Sequence, residues 1–453
     1  MENYKCKSVG IIGSGIQGVC TGLQLIKKGI PVTLFDRQDP LSIEYKPASY
    51  GNAGHFSPYA VLQFNRPDIL YDVPKMLISS YGPLALKWNY IPKMFNWFFH
   101  YFKNCNQESM LHTAKYMHQI LSLSNDAYEE IFQEIDTSGL VEKRGIIYVW
   151  TNKNLKSRNL EIKIRDQLGI EQKLLTKKEI LELEPNLNPV FDAGAIFESA
   201  MHARDPHGIL KKIFKLYLDK GGKFIQTNIT SIEQSAFDET IIKSENEEFK
   251  FEKSVIASGA FSKKLTDQLG ENIPLDTERG YHVHFKGKDH LISRPVIFLD
   301  RGFGMTPMNQ GLRAVGTVEL GGLENPPSEK RIEYVIKCAK ELLPQLGEHE
   351  DEWLGFRPTL PDFLPILGPS LKNKNIIYAF GHQHLGWTLG AITGKIISGI
   401  VAGEKTNLDL TPYSSKRFNY ELFVEKLYSL FFSNFSSFIL VRKFYYWQIC
   451  NFI

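Results

Sequence analysis

The first part of the chain places a segment with helical spacing between two apolar runs. The apolar runs lie at 9–12 and 32–35, and the second one ends on Asp36. Between them, the glycine-rich stretch at 13–18 precedes residues whose apolar positions recur with the period of a helix. This order of apolar run, glycine-rich turn, helix and apolar run predicts a strand–turn–helix–strand unit.

The rest of the chain mixes helical and strand patterns. Several helices are predicted within 68–135, where prolines interrupt the spacing, and single helices at 209–218, 329–343 and 391–401. Strands are predicted at 145–150, 223–229, 253–257 and 376–380, and an antiparallel sheet within 281–318. Thr176 and Glu179 have the spacing of a capping box at a helix start. Because glycine-rich turns of similar kind lie near the start, middle and end, one domain is predicted to be discontinuous in sequence.

Length, charge and cysteines exclude several classes of protein. A chain of 453 residues is long enough for two domains, and 43% hydrophobic with 23% charged residues is typical of a soluble globular protein. A net charge of +3 does not indicate nucleic-acid binding. The five cysteines include no CxxC pair, which fits a reducing compartment. Since the first strand begins within ten residues, we expect no signal peptide and a cytoplasmic protein.

The N-terminal motif has the chemistry of a dinucleotide site. Gly13 permits a tight turn, Gly15 lets the backbone approach a pyrophosphate, and Gly18 lets the helix pack closely on the sheet. The helix N-terminus offers unpaired N–H groups to phosphate oxygens. Asp36 accepts hydrogen bonds from ribose hydroxyls and would repel a 2′-phosphate. The motif alone does not separate FAD from NAD.

Eight motifs together resemble a known family. They are VGIIGSGIQG, SYGNAGHFSP, HARDPHGIL, VIASGA, RGYHV, GFRPTLPDFLPILG, GHQHLGWTLGAITG and TPYSSKRF, in this order along the chain. The chain resembles the FAD-dependent D-amino acid oxidase superfamily over residues 8–420, and most closely the bacterial D-amino acid dehydrogenases of the small-subunit type. One departure is His55, where relatives often carry an amide residue.

The resemblance implies a fold and an activity. The fold is α/β, with a glutathione-reductase-like, Rossmann-type FAD-binding domain and a second α+β substrate domain that contains an antiparallel sheet. We assign 1–60, 190–275 and 355–420 to the FAD-binding domain, 61–189 and 276–354 to the substrate domain, and 421–453 to an apolar tail. The implied reaction is oxidative deamination of a D-amino acid, in which a hydride passes from Cα to flavin N5 and the imino acid hydrolyses to a 2-oxo acid and ammonia.

Three residues are predicted to act on the substrate. By resemblance, Arg357 in GFRP grips the substrate carboxylate, for which a guanidinium fork is suited. Tyr281 lies on a strand expected to face the flavin, where its phenol would bond either the same carboxylate or a local partner. His382 lies in a loop implied to pass the isoalloxazine ring. The pair His382 and His384 lacks a third ligand at supporting spacing, so we predict no metal site.

The predicted contacts to FAD come from the glycine-rich turns, the loop after the first βαβ unit and the C-terminal loop. They are Gly13, Gly15, Gly18, Asp36, Arg37, Asn52, Ala53, Gly54, His55, Ile229, Ala257, Gly259, Gly381, Gly386, Trp387 and Thr388. The backbone of the last three, placed before a helix at Ala391, is expected to bond the pyrimidine edge of the flavin, where negative charge develops on reduction.

Two alternatives remain open beside a D-amino acid dehydrogenase that reduces a quinone-type acceptor. One is an oxidase or dehydrogenase of glycine, sarcosine or a D-hydroxyproline-type amine. The other is a flavin-binding interaction protein without turnover, against which the intact Arg357 motif argues.

The stretch 427–441 is uncharged and rich in Phe and Leu, with Arg442 and Lys443 behind it. It is short for a membrane span and suits an interfacial helix, which would rest on the inner face of the membrane, or a tail packed on the protein.

Overall fold

A computed structural model describes residues 6–67, 82–235 and 239–419 of the chain. The predicted interfacial segment at 427–441 lies outside the described residues, and so does the first part of the helical region predicted at 68–135.

Six strands from distant parts of the chain form the first sheet. These strands are β1 (Val9–Ile12), β2 (Val32–Asp36), β10 (Lys223–Gln226), β14 (Lys253–Ile256), β20 (Ile366–Pro369) and β21 (Ile376–Phe380). Their spatial order is β10-β2-β1-β14-β21-β20, and all neighbours are parallel except β20 and β21. The parallel strands therefore end at one edge, where the loops that follow them meet.

Nine strands form a second sheet, which contains the predicted antiparallel region. They are β4 (Leu84–Leu86), β6 (Ile146–Trp150), β7 (Lys173–Thr176), β8 (Ala193–Phe197), β15 (Asp276–Phe285), β16 (Val296–Phe298), β17 (Phe303–Met308), β18 (Gly311–Leu320) and β19 (Glu350–Thr359). The order is β19-β15-β18-β17-β16-β6-β8-β7, with β4 beside β18. Strand β8 falls in the segment 190–275 that we assigned to the FAD-binding domain, yet it pairs with β6 and β7 in this sheet. The domain boundaries themselves stay a prediction.

Two three-stranded sheets contain the remaining strands in the part of the chain that the structure describes. One contains β11 (Ile229–Gln234), β12 (Thr240–Ser244) and β13 (Glu248–Phe251), and the other contains β3 (His55–Phe56), β5 (Val141–Glu142) and β9 (Met201–Ala203). The single strand predicted at 223–229 is thus two strands. The N–H of Thr227 donates to the Asp36 carbonyl as the last bond between β10 and β2, and the chain leaves the first sheet after it.

The helices cover the two large sheets. They are α1 (Ile16–Lys27), α2 (Ala48–Gly51), α3 (Phe95–Asn104), α4 (Gln107–Leu121), α5 (Ser124–Phe132), α6 (Leu155–Gln167), α7 (Lys177–Leu183), α8 (Pro206–Asp219), α9 (Ser262–Gln268), α10 (Glu329–Leu342) and α11 (Gly386–Ala402). The capping box of Thr176 and Glu179 is confirmed at the start of α7. Helix α10 packs its apolar stripe, including Ile332 and Val335, against the face of the second sheet that carries Val283 and Phe285.

Helix α11 begins earlier than predicted. We expected a loop up to residue 390 and a helix from Ala391, but a 3-10 turn at Gln383–Leu385 leads directly into the helix at Gly386. The Gln17 side chain donates from Nε2 to the Gly386 carbonyl at 2.6 Å, and this bond fixes the first turn. The stretch Gln383–Ala402 is apolar and long enough to cross a membrane by composition, but 72% of it is buried because it packs in the core beside α1.

Candidate active site

A cavity of about 2080 Å³ joins the two large sheets. At one end it is lined by the residues at the carboxyl ends of the parallel strands, such as Ile12, Asp36 and Ala257. At the other end it reaches Glu278 and Arg357 on the second sheet. Pockets for a single small molecule measure roughly 300–1,000 Å³. This cavity therefore has room for a large cofactor together with a small substrate.

All but two of the residues predicted to contact the cofactor line this cavity. The two that do not, among the described residues, are Gly18 and Gly381. A Cβ on Gly18 would lie 1.9 Å from the Gly13 carbonyl oxygen, so Gly18 serves the close packing of α1 beneath the turn. A Cβ on Gly381 would lie 2.4 Å from Leu360 Cδ1, so this glycine faces the protein. Both positions are needed for the shape of the site without touching its contents.

The turn at 13–15 is built to bring backbone close to a ligand. Gly13 has a φ of +110°, and a Cβ there would lie 2.5 Å from the Ala257 carbonyl oxygen, so only glycine fits. A Cβ on Gly15 would meet only the Ser49 hydroxyl at 3.2 Å, because its other side faces the cavity. The N-terminus of α1 follows at Ile16 and directs its positive dipole end into this space.

Asp36 is held at the end of β2 by the same turn. Its Oδ2 accepts hydrogen bonds from the Ser14 N–H at 2.7 Å and the Ser14 hydroxyl at 3.0 Å. Its Oδ1 accepts from the Gln38 N–H at 3.2 Å. The carboxylate is thereby oriented at the cavity wall, where the remaining lone pairs suit ribose hydroxyls. Next to it, Arg37 lies over the Phe261 ring, with its Cζ 4.2 Å from the ring centroid.

A buried arginine that the sequence analysis missed supports the loop at 50–54. The Nη1 of Arg313 donates to the carbonyls of Asn52 at 2.6 Å and Tyr50 at 3.2 Å, and its Nε donates to His284 Nε2 at 3.0 Å. Burial lowers the pKa of Arg313 to about 10, although Tyr50 and Asp205 raise it. Its sequence signal is a charged residue within the largely apolar strand β18, where a fully buried charge needs strong partners.

His55 is neutral and tied to the second sheet. The Thr306 hydroxyl donates to the Ala53 carbonyl at 2.9 Å, so the His55 Nε2 that lies 2.7 Å from the same hydroxyl oxygen must carry the proton. Burial lowers the pKa of His55 to about 4. His55 therefore contributes a neutral ring to the cavity wall and fixes the loop against β17.

The start of α11 forms the opposite wall of the cofactor end. Gly386, Trp387 and Thr388, all predicted contacts, lie in the first helical turn and line the cavity. The Thr388 hydroxyl accepts from the Ser57 N–H at 3.0 Å and donates to the His55 carbonyl at 3.2 Å. This turn keeps its N–H groups and positive dipole end directed toward the cavity, which suits developing negative charge.

His382 lies at the wall but is engaged by the protein. Its Nε2 lies 3.0 Å from the Thr393 hydroxyl, and burial lowers the pKa of His382 to about 3. His384 projects toward the cavity, and burial and the Arg357 charge lower its pKa to about 3. Both rings are therefore neutral at pH 7.

Several buried side chains at the wall carry a polar atom without a hydrogen-bond partner in the described part of the chain. These atoms include Gln17 Oε1, Thr277 Oγ1, Thr317 Oγ1, Gln383 Oε1 and Trp387 Nε1. Buried polar atoms normally have partners, so their concentration here indicates a polar ligand. Thr317 and Gln383 also have φ values of 66° and 48°, which cost conformational energy and are typical of functional sites.

Arg357 lies across the face of β15. Its Nη1 donates to the Thr317 carbonyl at 2.9 Å. A Cβ on Gly280 would lie 2.1 Å from Nη2, so the guanidinium occupies the space above this glycine. Burial lowers the pKa of Arg357 while the Glu278 charge raises it, and the group remains a cation. The side of the fork that faces the cavity is available to a carboxylate.

The Tyr281 phenol does not share the Arg357 face. Glu278 pairs with Arg357, so the even-numbered residues of β15 face the same side as Arg357 and Tyr281 points to the other. Its hydroxyl donates to Glu319 Oε2 at 2.6 Å and accepts from the Ser328 N–H at 3.0 Å. Tyr281 thus has the local partner that the sequence analysis left open.

Comparisons with known proteins give the family. Residues 8–400 match the family described as FAD dependent oxidoreductase. The chain belongs to this family. A D-amino-acid oxidase of Bradyrhizobium diazoefficiens is 31% identical over 418 residues, which are 91% of this chain and 99% of that protein. A D-amino acid dehydrogenase of Vibrio atlanticus is 28% identical over 417 residues, covering 90% and 99%.

The fold of this FAD-dependent oxidoreductase recurs in solved structures. Glycine oxidase from Geobacillus kaustophilus superposes with a TM-score of 0.69 at 20% identity, covering 91% of this chain and 99% of that one. The predicted family, fold class and cofactor are confirmed. The turn at 13–15, Asp36, the loop at 52–55 and the first turn of α11 are the residues that would hold FAD, and the orphaned polar atoms fit such a group.

Proposed function

We propose that this FAD-dependent oxidoreductase converts D-amino acids to 2-oxo acids and ammonia. The observation that carries the proposal is Arg357, a cation that lines the cavity above Gly280 and presents its fork where a small carboxylate fits. The proposal is supported by relatives named D-amino-acid oxidase and D-amino acid dehydrogenase that match almost from end to end.

Arg357 orients the substrate by its carboxylate. FAD, when bound, supplies the two-electron acceptor for the hydride that leaves Cα. The aromatic side chains Trp97, Phe98 and Tyr101 form part of the wall and keep water from the reacting carbon. Neutral His382 and His384 add no positive charge that would compete with Arg357 for the carboxylate. The imino acid then hydrolyses to the 2-oxo acid and ammonia.

Anaerobic reduction tests the substrate class. D-alanine added to the purified protein is expected to bleach the yellow colour of the flavin, and L-alanine at the same concentration is the matched control. Glycine and sarcosine test the competing amine-oxidase activity. A flavin that stays oxidised with a panel of D-amino acids, or that responds only to glycine or sarcosine, would overturn the proposal.

The acceptor we propose is a quinone, reduced by a cytoplasmic enzyme that rests on the inner face of the membrane. The support is the name dehydrogenase among the relatives and the apolar, aromatic composition of 427–441. With D-alanine as donor, a soluble quinone analogue is expected to support turnover while oxygen uptake stays slow. Rapid oxygen uptake with stoichiometric peroxide would show an oxidase instead.

A further inference from the structure

A buried carboxyl group lies beside Arg357 on the same face of the second sheet. Glu278 on β15 is directly opposite Arg357 on β19, so the two side chains leave the sheet on one side. Glu278 is 4% exposed, and both residues line the cavity. One positive and one negative group thus stand next to each other where a small substrate fits.

The two groups do not neutralise each other by contact. Within the described residues, no ion pair of 4 Å or less joins Glu278 to Arg357 or to any other basic group. The Arg357 guanidinium instead extends over Gly280 and bonds the Thr317 carbonyl. A separated pair of opposite charges on one face is complementary to a zwitterion, whose carboxylate and ammonium are joined by a single carbon.

Resting on the proposed function, we propose that Glu278 binds the ammonium of the amino acid and accepts one proton from it, while Arg357 binds the carboxylate. The N–H bond of the ammonium breaks, an O–H bond forms on Glu278, and the lone pair stays on nitrogen. As the hydride leaves Cα for FAD, that lone pair forms the C=N bond. The product is an iminium ion, which water hydrolyses, and the carboxyl proton returns to solvent after release.

The surroundings of Glu278 suit such a base. Burial raises the pKa of Glu278 to about 7, although Arg357 and the nearby Thr359 hydroxyl lower it. Two other titratable groups face this region, Tyr101 on α3 and Asp276 on β15. The pKa of Tyr101 is raised by burial, by Cys105 and by the charge of Glu278, and it is lowered by Arg66. When a substrate carboxylate neutralises Arg357, its lowering effect is lost and Glu278 becomes a stronger base.

The experiment compares Glu278→Gln with the control variant Asp276→Asn. Asp276 is a second carboxyl group on the same face of β15; it also lines the cavity and accepts a hydrogen bond from the Tyr90 hydroxyl. Affinity for D-alanine is measured from the anaerobic rate of flavin bleaching, and affinity for propionate, which lacks the amine, from the flavin absorbance. Glu278→Gln is expected to lower kcat/KM for D-alanine about 10- to 100-fold, as for loss of a hydrogen bond to a charged group. Propionate affinity and all values for Asp276→Asn should stay within about threefold.

The pH profile separates a catalytic from a structural role. In the wild type, kcat/KM is expected to rise with pH near pH 7 as Glu278 loses its proton, and in Glu278→Gln the rise near pH 7 should vanish. FAD content is measured first. Should Glu278→Gln not retain FAD, Glu278→Asp replaces it, with the expectation that the rise with pH remains while KM increases. If D-alanine bleaches the wild-type flavin but the ratio of D-alanine to propionate affinity is unchanged in the variant, the inference about Glu278 is wrong and the proposed function stands. If D-alanine does not bleach the wild-type flavin, both the proposed function and the inference are wrong.

Discussion

Gly280→Ala tests whether the position of the Arg357 guanidinium governs substrate binding. The new Cβ would lie 2.1 Å from Nη2, 2.4 Å from Cζ and 2.8 Å from Nη1. Each of these atoms belongs to the far end of a flexible side chain, so the fold accommodates the methyl group by moving the guanidinium. Gly280 lies within β15 with an ordinary backbone conformation, which alanine also adopts.

The magnitude follows from the contact that the displaced guanidinium no longer makes with the substrate carboxylate. Its Nη1 loses the 2.9 Å hydrogen bond to the Thr317 carbonyl, and its fork leaves the position that faces the cavity. A hydrogen bond to a charged group contributes about 1.5–3 kcal/mol. Because 1.4 kcal/mol is tenfold in an equilibrium constant, KM for D-alanine should rise about 10- to 150-fold. FAD binding should stay unchanged, since neither Gly280 nor Arg357 is among the residues predicted to hold FAD.

Steady-state kinetics with a dye acceptor measure KM, and flavin absorbance after dialysis measures cofactor retention. The control is the same alanine in an Arg357→Lys background, where there is no guanidinium to displace. In that background, Gly280→Ala should raise KM by less than a factor of about three. The effects of the two substitutions on KM should therefore be far from additive. An unchanged KM in Gly280→Ala, or fully additive effects of the two substitutions, would refute the reasoning.

Three further predictions concern the arginine, the cofactor and the tail. Arg357→Lys keeps the charge and loses the fork, so KM for a D-amino acid should rise by the equivalent of about 1.5–3 kcal/mol while FAD content stays constant; an unchanged KM contradicts the assigned role. FAD should be bound without a covalent link, and acid precipitation should release the yellow colour into the supernatant rather than leave it in the pellet. Truncation after Tyr420 should abolish sedimentation with anionic liposomes at low salt and spare activity with a soluble dye. Full-length protein that stays in the supernatant would show that the tail does not bind membranes.

The parts of the site that come from local sequence were predictable. The turn at Gly13 and the carboxyl group of Asp36 belong to one strand–helix–strand unit, and the geometry of this unit is fixed by its own residues. The side to which Tyr281 points was not predictable, because it depends on the register of β15 with β19, a strand some 70 residues further along the chain. The role of Arg313 was hidden for the same reason, since its carbonyl partner Asn52 is 261 residues away.

The early start of α11 shows how tertiary contacts override local pattern. Glycines at 386 and 390 lower the helix propensity of this segment, which favoured a loop in the sequence analysis. In the structure, Gln17 holds the Gly386 carbonyl and the Tyr128 hydroxyl donates to the Trp387 carbonyl at 2.5 Å. Neither partner is visible from the segment itself.

The contact between α1 and α11 has a consequence for biosynthesis. The bond from Gln17 to Gly386 spans 369 residues, and that from Lys28 to Glu404 spans 376. Chains fold from the N-terminus as they leave the ribosome, at about 5–20 residues per second. The first helix therefore waits roughly 20–75 seconds for its partner. During that time the face of α1 that packs against α11 has no partner, and the predicted FAD site is complete only when Thr388 has been made.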